Sequence, residues 1–217
     1  MNVNNREENK EEKAYAYLML MLQRHPELNC IRKSVEDAYE IVKNAYSLEK
    51  KLLVCGNGGS ASDSLHIVGE LMKGFRVQRH VKEEDRKELG DLADDLQGAL
   101  PAIALTSELA LISAFGNDVN PEMIYAQQVY GYGVPGDVFL GITTSGNSMN
   151  VLKAAETARK RGLKTIGLTG KTGGKMADLA DVCIEVPQTD TAFVQEEHIV
   201  VYHTLCSMLE AYFFDEL

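Results

Sequence analysis

Apolar positions follow two rhythms along the chain. Up to about residue 50 they recur at helical spacing; from Lys51 onward, short apolar runs alternate with amphipathic stretches. Residues 14–24 (AYAYLMLMLQR) read as a helix. Their alternating Tyr and Leu would also suit a strand, but Ala, Met, Leu and Gln favour helix. The polar residues ahead of them are expected to fray. A second helix is predicted from about Ser34, where Ser34-Val-Glu-Asp37 loosely fits a capping box. Val35, Ala38, Ile41, Val42 and Ala45 supply its apolar stripe.

Five short runs then read as strands: KLLVC (51–55), LPAIAL (100–105), VFLGIT (138–143), KTIGLT (164–169) and VCIEV (182–186). Between them, 60–73, 108–115, 121–131, 148–161 and 174–180 are amphipathic, and 191–214 reads as one long helix. Continuous apolar runs separated by helices predict a parallel sheet covered on both faces, an α/β architecture. One segment breaks the rhythm. HVKEEDRKELGDLADDLQG (80–98) carries many charges of both signs, with Leu89, Leu92 and Leu96 among them, and is expected to be an exposed helical excursion with a few core contacts. No internal repeat or low-complexity linker is present.

Charge narrows the class of partner. Twenty-two basic against 32 acidic residues give a formal charge of −10, so no nucleic acid or anionic membrane is expected as a partner. A phosphate could still be held locally by backbone N–H groups. Cys30, Cys55, Cys183 and Cys206 show no C-x-x-C spacing and lie in or beside apolar stretches, so they are expected to be reduced core residues. The polar start lacks the apolar segment of a secretory signal, and no run approaches the roughly 18 apolar residues of a membrane span. The expected compartment is the cytoplasm.

Two strand-to-helix junctions carry candidate chemistry. Cys55-Gly-Asn-Gly-Gly-Ser60 follows one predicted strand and precedes a helix. Its glycines allow close backbone approach to a ligand, and the helix start offers unpaired N–H groups. Thr143-Thr-Ser-Gly-Asn-Ser148 occupies the same kind of junction, with more hydroxyl and amide groups than capping a helix requires. Ligands of open α/β sheets lie beyond the carboxyl ends of the strands, so two such loops on one edge point to a phosphate or sugar site. Neither loop is a Walker A sequence or a G-x-G-x-x-G turn, which disfavours nucleotide cofactors.

His66 and Glu70 stand at i and i+4 on the helix leaving the first loop, sharing one face. The pair suits proton transfer or a divalent metal such as zinc, although a surface ion pair would look the same. The last helix carries Gln195, Glu196, Glu197, His198 and His203. Gln195 and His203 are about 12 Å apart on a straight helix, too far to share one ion. Either Gln195 lies ahead of the helix proper, or more than one subunit builds the site. Spacing leaves the choice between His198 and His203 open.

The combination of C-G-N-G-G-S, H-x-x-x-E, G-N-D (116–118), T-S-G-N-S (144–148), L-T-G-K-x-G-G (168–174) and Q-E-x-H…H (195–203), in this order over nearly the whole chain, resembles the phosphoheptose isomerases. The resemblance implies a single sugar isomerase (SIS) domain over 1–217, with 1–50 a helical extension and 51–217 the α/β core. It implies a three-layer α-β-α sandwich with a five-stranded parallel sheet, N-terminal helices and a long C-terminal helix. It further implies a homotetramer with active sites between subunits. One Zn2+ per subunit would be held by His66, Glu70, Gln195 and His203. Asn57, Gly58, Gly59, Glu70, Asn117, Asp118, Thr143, Thr144, Ser145, Ser148 and Gln195 would contact the sugar phosphate. By the same resemblance Glu70 is the general base and His203 the general acid of an aldose–ketose isomerisation of sedoheptulose 7-phosphate.

The chain departs from the family in three places. Thr143 stands where Ser is usual, Gly74 where several relatives carry Arg, and 80–98 exceeds the usual short connection. These departures bear on the substrate more than on the chemistry. Rival readings are an isomerase of another sugar phosphate, a non-catalytic SIS protein that binds a replication initiator, and a SIS sensor domain of a regulator. Non-catalytic relatives lack the equivalents of Glu70 and His203, both present here. A regulator would need a DNA-binding module, for which the chain has no room.

Overall fold

The structure is a computed structural model that describes residues 3–214, with side chains from Glu7 onward. Its strands are β1 (Leu52–Gly56), β2 (Ala102–Ala104), β3 (Val138–Thr143), β4 (Lys164–Thr169) and β5 (Val182–Glu185). Its helices are α1 (Val3–Arg24), α2 (Arg32–Ser47), α3 (Gly59–Met72), α4 (Glu83–Leu89), α5 (Leu109–Asp118), α6 (Ile124–Tyr132), α7 (Met149–Lys160), α8 (Gly174–Leu179) and α9 (Thr191–Phe214).

Side chains of a strand alternate between faces, so a strand covered on both sides must be apolar almost throughout. β1 and β3 are buried at every position and β4 at all but its first. All five strands run parallel in the order β2-β1-β3-β4-β5. Leu52, Val54, Val138, Leu140 and Ile166 face a core shared with α1, α2, α3 and α9. Leu53, Cys55 and Phe139 face a second core shared with α6, α7 and α8. The result is the expected three-layer sandwich. Gly141 and Gly167 are paired in register, and a Cβ at either would meet Met176 of α8 at 2.7 and 2.8 Å. Two adjacent glycines thus make the hollow that lets α8 lie close on the sheet.

The strand order also fixes where a ligand can sit. From β1 the chain crosses to β2 on one side; from β3 it crosses to β4 on the other. β1 and β3 are neighbours, with Gly56 in register with Ile142. The loops leaving their carboxyl ends therefore flank the point at which the connections diverge, the usual crevice of such sheets.

Several local expectations are corrected. The polar start is helical from Val3 rather than frayed, residues 1–2 lying outside the described part. Glu11 anchors it by accepting hydrogen bonds from the largely buried Lys43 Nζ (2.5 Å) and from the Tyr39 hydroxyl (3.2 Å). Ser34 does not cap α2, which begins at Arg32; its hydroxyl instead donates back to the Ile31 carbonyl at 2.9 Å. The 80–98 segment, by contrast, is the exposed helical excursion expected, a short helix followed by a 3₁₀ turn over Gly90–Asp94. There Ala93 is buried, while Leu89, Leu92 and Leu96 are exposed. Cys55 and Cys206 are buried, Cys183 is partly buried, and all four cysteines are free. Cys30 is exposed rather than in the core, because it sits on the 3₁₀ turn Pro26–Ile31 and its thiol turns back to the Glu27 carbonyl at 3.4 Å.

Candidate active site

The first loop is held by side chains of α6 and α7. Asn57 Nδ2 donates to Asn150 Oδ1 at 2.8 Å, and Asn150 Nδ2 returns a bond to Asn57 Oδ1 at 2.9 Å. The Tyr125 hydroxyl donates to the Gly56 carbonyl at 2.7 Å. Asn57, Gly58 and Gly59 remain exposed at the start of α3. In the second loop, the buried Thr143 shares a hydrogen bond with Ser148 (Oγ1 to Oγ, 3.0 Å), while Thr144 is half-buried and Ser145 exposed. Gly146 lies in the left-handed region at φ 68°, and a Cβ there would fall 1.9 Å from the Gly173 carbonyl oxygen. The 168–174 motif is thus a buttress. Gly170 N–H donates to the Thr144 carbonyl and Met176 N–H to the Gly146 carbonyl, each at 3.0 Å.

The second half of the site lies between α3 and α9, which run side by side in the same direction. Gln195 rests against Gly59, where a Cβ would meet its Nε2 at 2.5 Å. Two turns on, His203 Nε2 lies 3.4 Å from His66 Nε2, and Glu70 Oε1 lies 3.0 Å from the same His66 nitrogen. His66, Glu70 and His203 place ligand-type atoms within 4.8 Å of one another. Gln195 lies within α9, not ahead of it, and its contact with Gly59 places it about 10 Å along α3 from His66. Three of the four expected metal-type residues are therefore gathered, and the fourth faces the first loop. Asn117 and Asp118 pair with each other at 2.8 Å on the exposed end of α5, and among the described residues no hydrogen bond joins them to either loop.

The donor set fits a divalent metal. Two imidazoles and a carboxylate are zinc-type ligands. Glu70 Oε2 is buried with no hydrogen-bond partner, the kind of orphan a bound group would satisfy, and Lys73 Nζ is the nearest cation at 3.5 Å. Burial, reinforced by neighbouring His66, holds His203 below the usual imidazole range, with Glu70 pulling the other way. His198 is separate. It lies fully buried in the core, and burial lowers it to about 4, with the Thr169 backbone opposing in part.

Gly74 has a local explanation. A Cβ there would fall 2.5 Å from the Val77 carbonyl oxygen, and its N–H donates to Gln97 at 2.7 Å, so an Arg would not fit this turn. Behind Glu70 lies a buried clamp. Arg79 donates to the carbonyls of Glu70 (2.8 Å) and Leu71 (2.6 Å) and to Glu210 (2.8 Å). Glu210 also accepts the N–H groups of Phe75 (2.7 Å) and Arg76 (2.6 Å). The Phe75 ring lies 5.4 Å from that of His203. Asp63 and Tyr202 touch the site as well. Sequence reasoning missed Asp63, Phe75, Arg79, Tyr125, Asn150, Tyr202 and Glu210. Asp63 alone carried a signal, standing three residues before His66 and so on its face of the helix.

Comparisons with known proteins identify the family. The SIS domain family model matches residues 83–170. The phosphoheptose isomerase of Nitratiruptor sp. is 43% identical over 183 residues, covering 84% of this chain and 88% of that protein. That of Aneurinibacillus thermoaerophilus is 39% identical, covering 84% and 81%. Among solved structures, the phosphoheptose isomerase of Neisseria gonorrhoeae superposes with a TM-score of 0.72 at 32% identity, covering 92% of this chain and 97% of that one. The enzyme of Francisella tularensis gives 0.73 at 32% identity, covering 91% and 96%. On these identities, coverages and superpositions, this SIS-domain chain belongs to the phosphoheptose isomerase family.

Proposed function

We propose that the chain interconverts sedoheptulose 7-phosphate and D-glycero-D-manno-heptose 7-phosphate. The observation that carries this reading is the convergence of His66, Glu70 and His203 beside two loops suited to a phosphate ester. Asn57, Gly58, Gly59, Thr143, Thr144, Ser145 and Ser148 would hold the phosphate and sugar, leaving the carbonyl end to reach between α3 and α9. Glu70 takes the proton from C1 of the ketose and returns it at C2. His203 donates to the oxygen at C2 as negative charge develops there and receives the proton leaving the hydroxyl at C1. Each proton removed is one returned, so the reaction needs no outside oxidant or reductant.

Zinc, held by His66, Glu70 and His203 with Gln195 as the further ligand the resemblance suggests, would polarise the carbonyl oxygen. Glu70 can serve both purposes because its oxygens differ: Oε1 faces the histidines, while Oε2 has no hydrogen-bond partner. Assembly as a homotetramer is part of the same reading. It is supported by exposed apolar side chains on α1 (Met19, Leu20), α3 (Leu65, Met72) and α9 (Phe193, Ile199). It is supported too by the separation of Asn117 and Asp118 from the rest of the site, which a neighbouring subunit could supply. Among the described residues no helix is long and apolar enough to cross a membrane.

The test is incubation of the zinc-supplemented protein with sedoheptulose 7-phosphate, following aldoheptose phosphate by NMR. Glu70→Gln should lower kcat by about 10²–10⁴-fold while leaving the circular dichroism spectrum unchanged. Full activity in that variant rules out Glu70 as the base. No turnover by the wild-type protein with metal bound points to another sugar phosphate.

A further inference from the structure

A three-residue hydrogen-bond chain runs away from the site behind His66. The Tyr202 hydroxyl lies 3.3 Å from Asp63 Oδ1 and 3.0 Å from His66 Nδ1. Tyr202 is 1% exposed and Asp63 7%, so water does not compete freely for either group. A hydroxyl has one proton to give, and an ionised carboxylate can only accept. The Tyr202 proton therefore points to Asp63, and the Tyr202 oxygen becomes an acceptor for whatever faces it. His66 Nδ1 faces it and must be the donor.

We infer that Asp63 and Tyr202 are positioning residues that hold His66 as the Nδ1–H tautomer and so present Nε2 as a bare lone pair to Glu70 and His203. The consequence at the other edge of the ring is direct. His66 Nε2 then meets the Glu70 carboxylate at 3.0 Å, a contact of lone pairs that a cation or an added proton would reconcile, and His203 Nε2 at 3.4 Å, where the His203 ring can bring its own N–H. The ring is also fixed in direction, since Tyr202 packs edge-on against it with centroids 5.5 Å apart. Metal-bound histidines generally donate their second N–H to an acceptor that sets tautomer and orientation. Here a tyrosine fills that place, with a buried carboxylate behind it. The part of this inference that concerns metal rests on the zinc reading above; the tautomer does not.

Two measurements separate these parts. Histidine-selective ¹⁵N labelling of the metal-free protein at about pH 9, well above the ordinary imidazole range, reports the tautomer of His66, assigned by the signals lost in His66→Gln. The Nδ1–H form is expected in the wild-type protein, and Tyr202→Phe should release it to the Nε2–H form without altering the thermal melt by more than a few degrees. A wild-type His66 found as Nε2–H, or as the doubly protonated ring, overturns the inference. Zinc affinity, by chelator competition, should fall about 10–100-fold in Tyr202→Phe. Adding Asp63→Asn to that variant should cost no more, because both act through one chain of bonds. If the wild-type protein binds no zinc, the metal reading fails while the spectra still decide the tautomer. Unchanged zinc affinity in Tyr202→Phe, with zinc bound by both proteins, overturns the positioning role.

Discussion

Ser148 shows how a single hydroxyl can be tested for work beyond its local bond. Its Oγ shares a hydrogen bond with Thr143 Oγ1 at 3.0 Å, and the α7 N-terminus begins directly after it without a side-chain cap from Ser148. The hydroxyl is therefore free of capping duty and directed to the loop. Ser148→Ala should raise KM for the sugar phosphate about tenfold or more, the effect of one hydrogen bond to a charged acceptor, with little change in kcat. An unchanged KM in steady-state kinetics would count against the loop as a phosphate site. Thr143 keeps the hydroxyl of the usual Ser, and its added methyl is accommodated in a buried position. Spacing left His198 and His203 open and the resemblance implied His203; in the structure the His198 ring enters the core and the His203 ring meets His66.

At the scale of elements, the site depends on α3 and α9 lying in register. Gly59 meets Gln195, His66 meets His203, and the turn after α3 meets Glu210. The Arg79–Glu210 pair locks the far end of this arrangement, with side chains 0% and 1% exposed. Removing one member of a buried ion pair strands the other, at a cost of about 3–5 kcal/mol. Arg79→Met should destabilise the protein by that order in urea titration. Because Arg79 also holds the Glu70 carbonyl, kcat should fall in the protein that remains folded. A variant as stable as wild type would show that the clamp contributes little. Helices α1 and α2 share one core with the sheet, so removing them would uncover that face.

Across the whole molecule, stability should depend on pH through His198. Its folded pKa is lowered to about 4 by burial, below the ordinary value of 6.5, so over that window the unfolded chain binds a proton that the folded chain does not. Stability therefore falls as pH drops from about 6.5 towards 4, by on the order of 3 kcal/mol from this group. Chemical denaturation across that range should show a shallower slope in His198→Gln; parallel slopes would exclude His198 as the cause. Much of the molecule was legible in advance. All five strands, the long last helix and both glycine- and hydroxyl-rich loops follow from apolar runs, turn glycines and clustered hydroxyls, because these reflect local backbone preference and burial on both faces of a sheet. The 80–98 segment was legible as an exposed helical excursion, whereas the polar start was misread as frayed because the tertiary anchor Glu11–Lys43, distant in sequence, holds it. The sequence by itself determined the layered α/β class and which strand ends carry the glycine- and hydroxyl-rich loops. Only the tertiary structure decided that α3 and α9 align so that residues 136 and 137 positions apart meet. That alignment is set by packing of whole helices on the sheet, which no local spacing encodes.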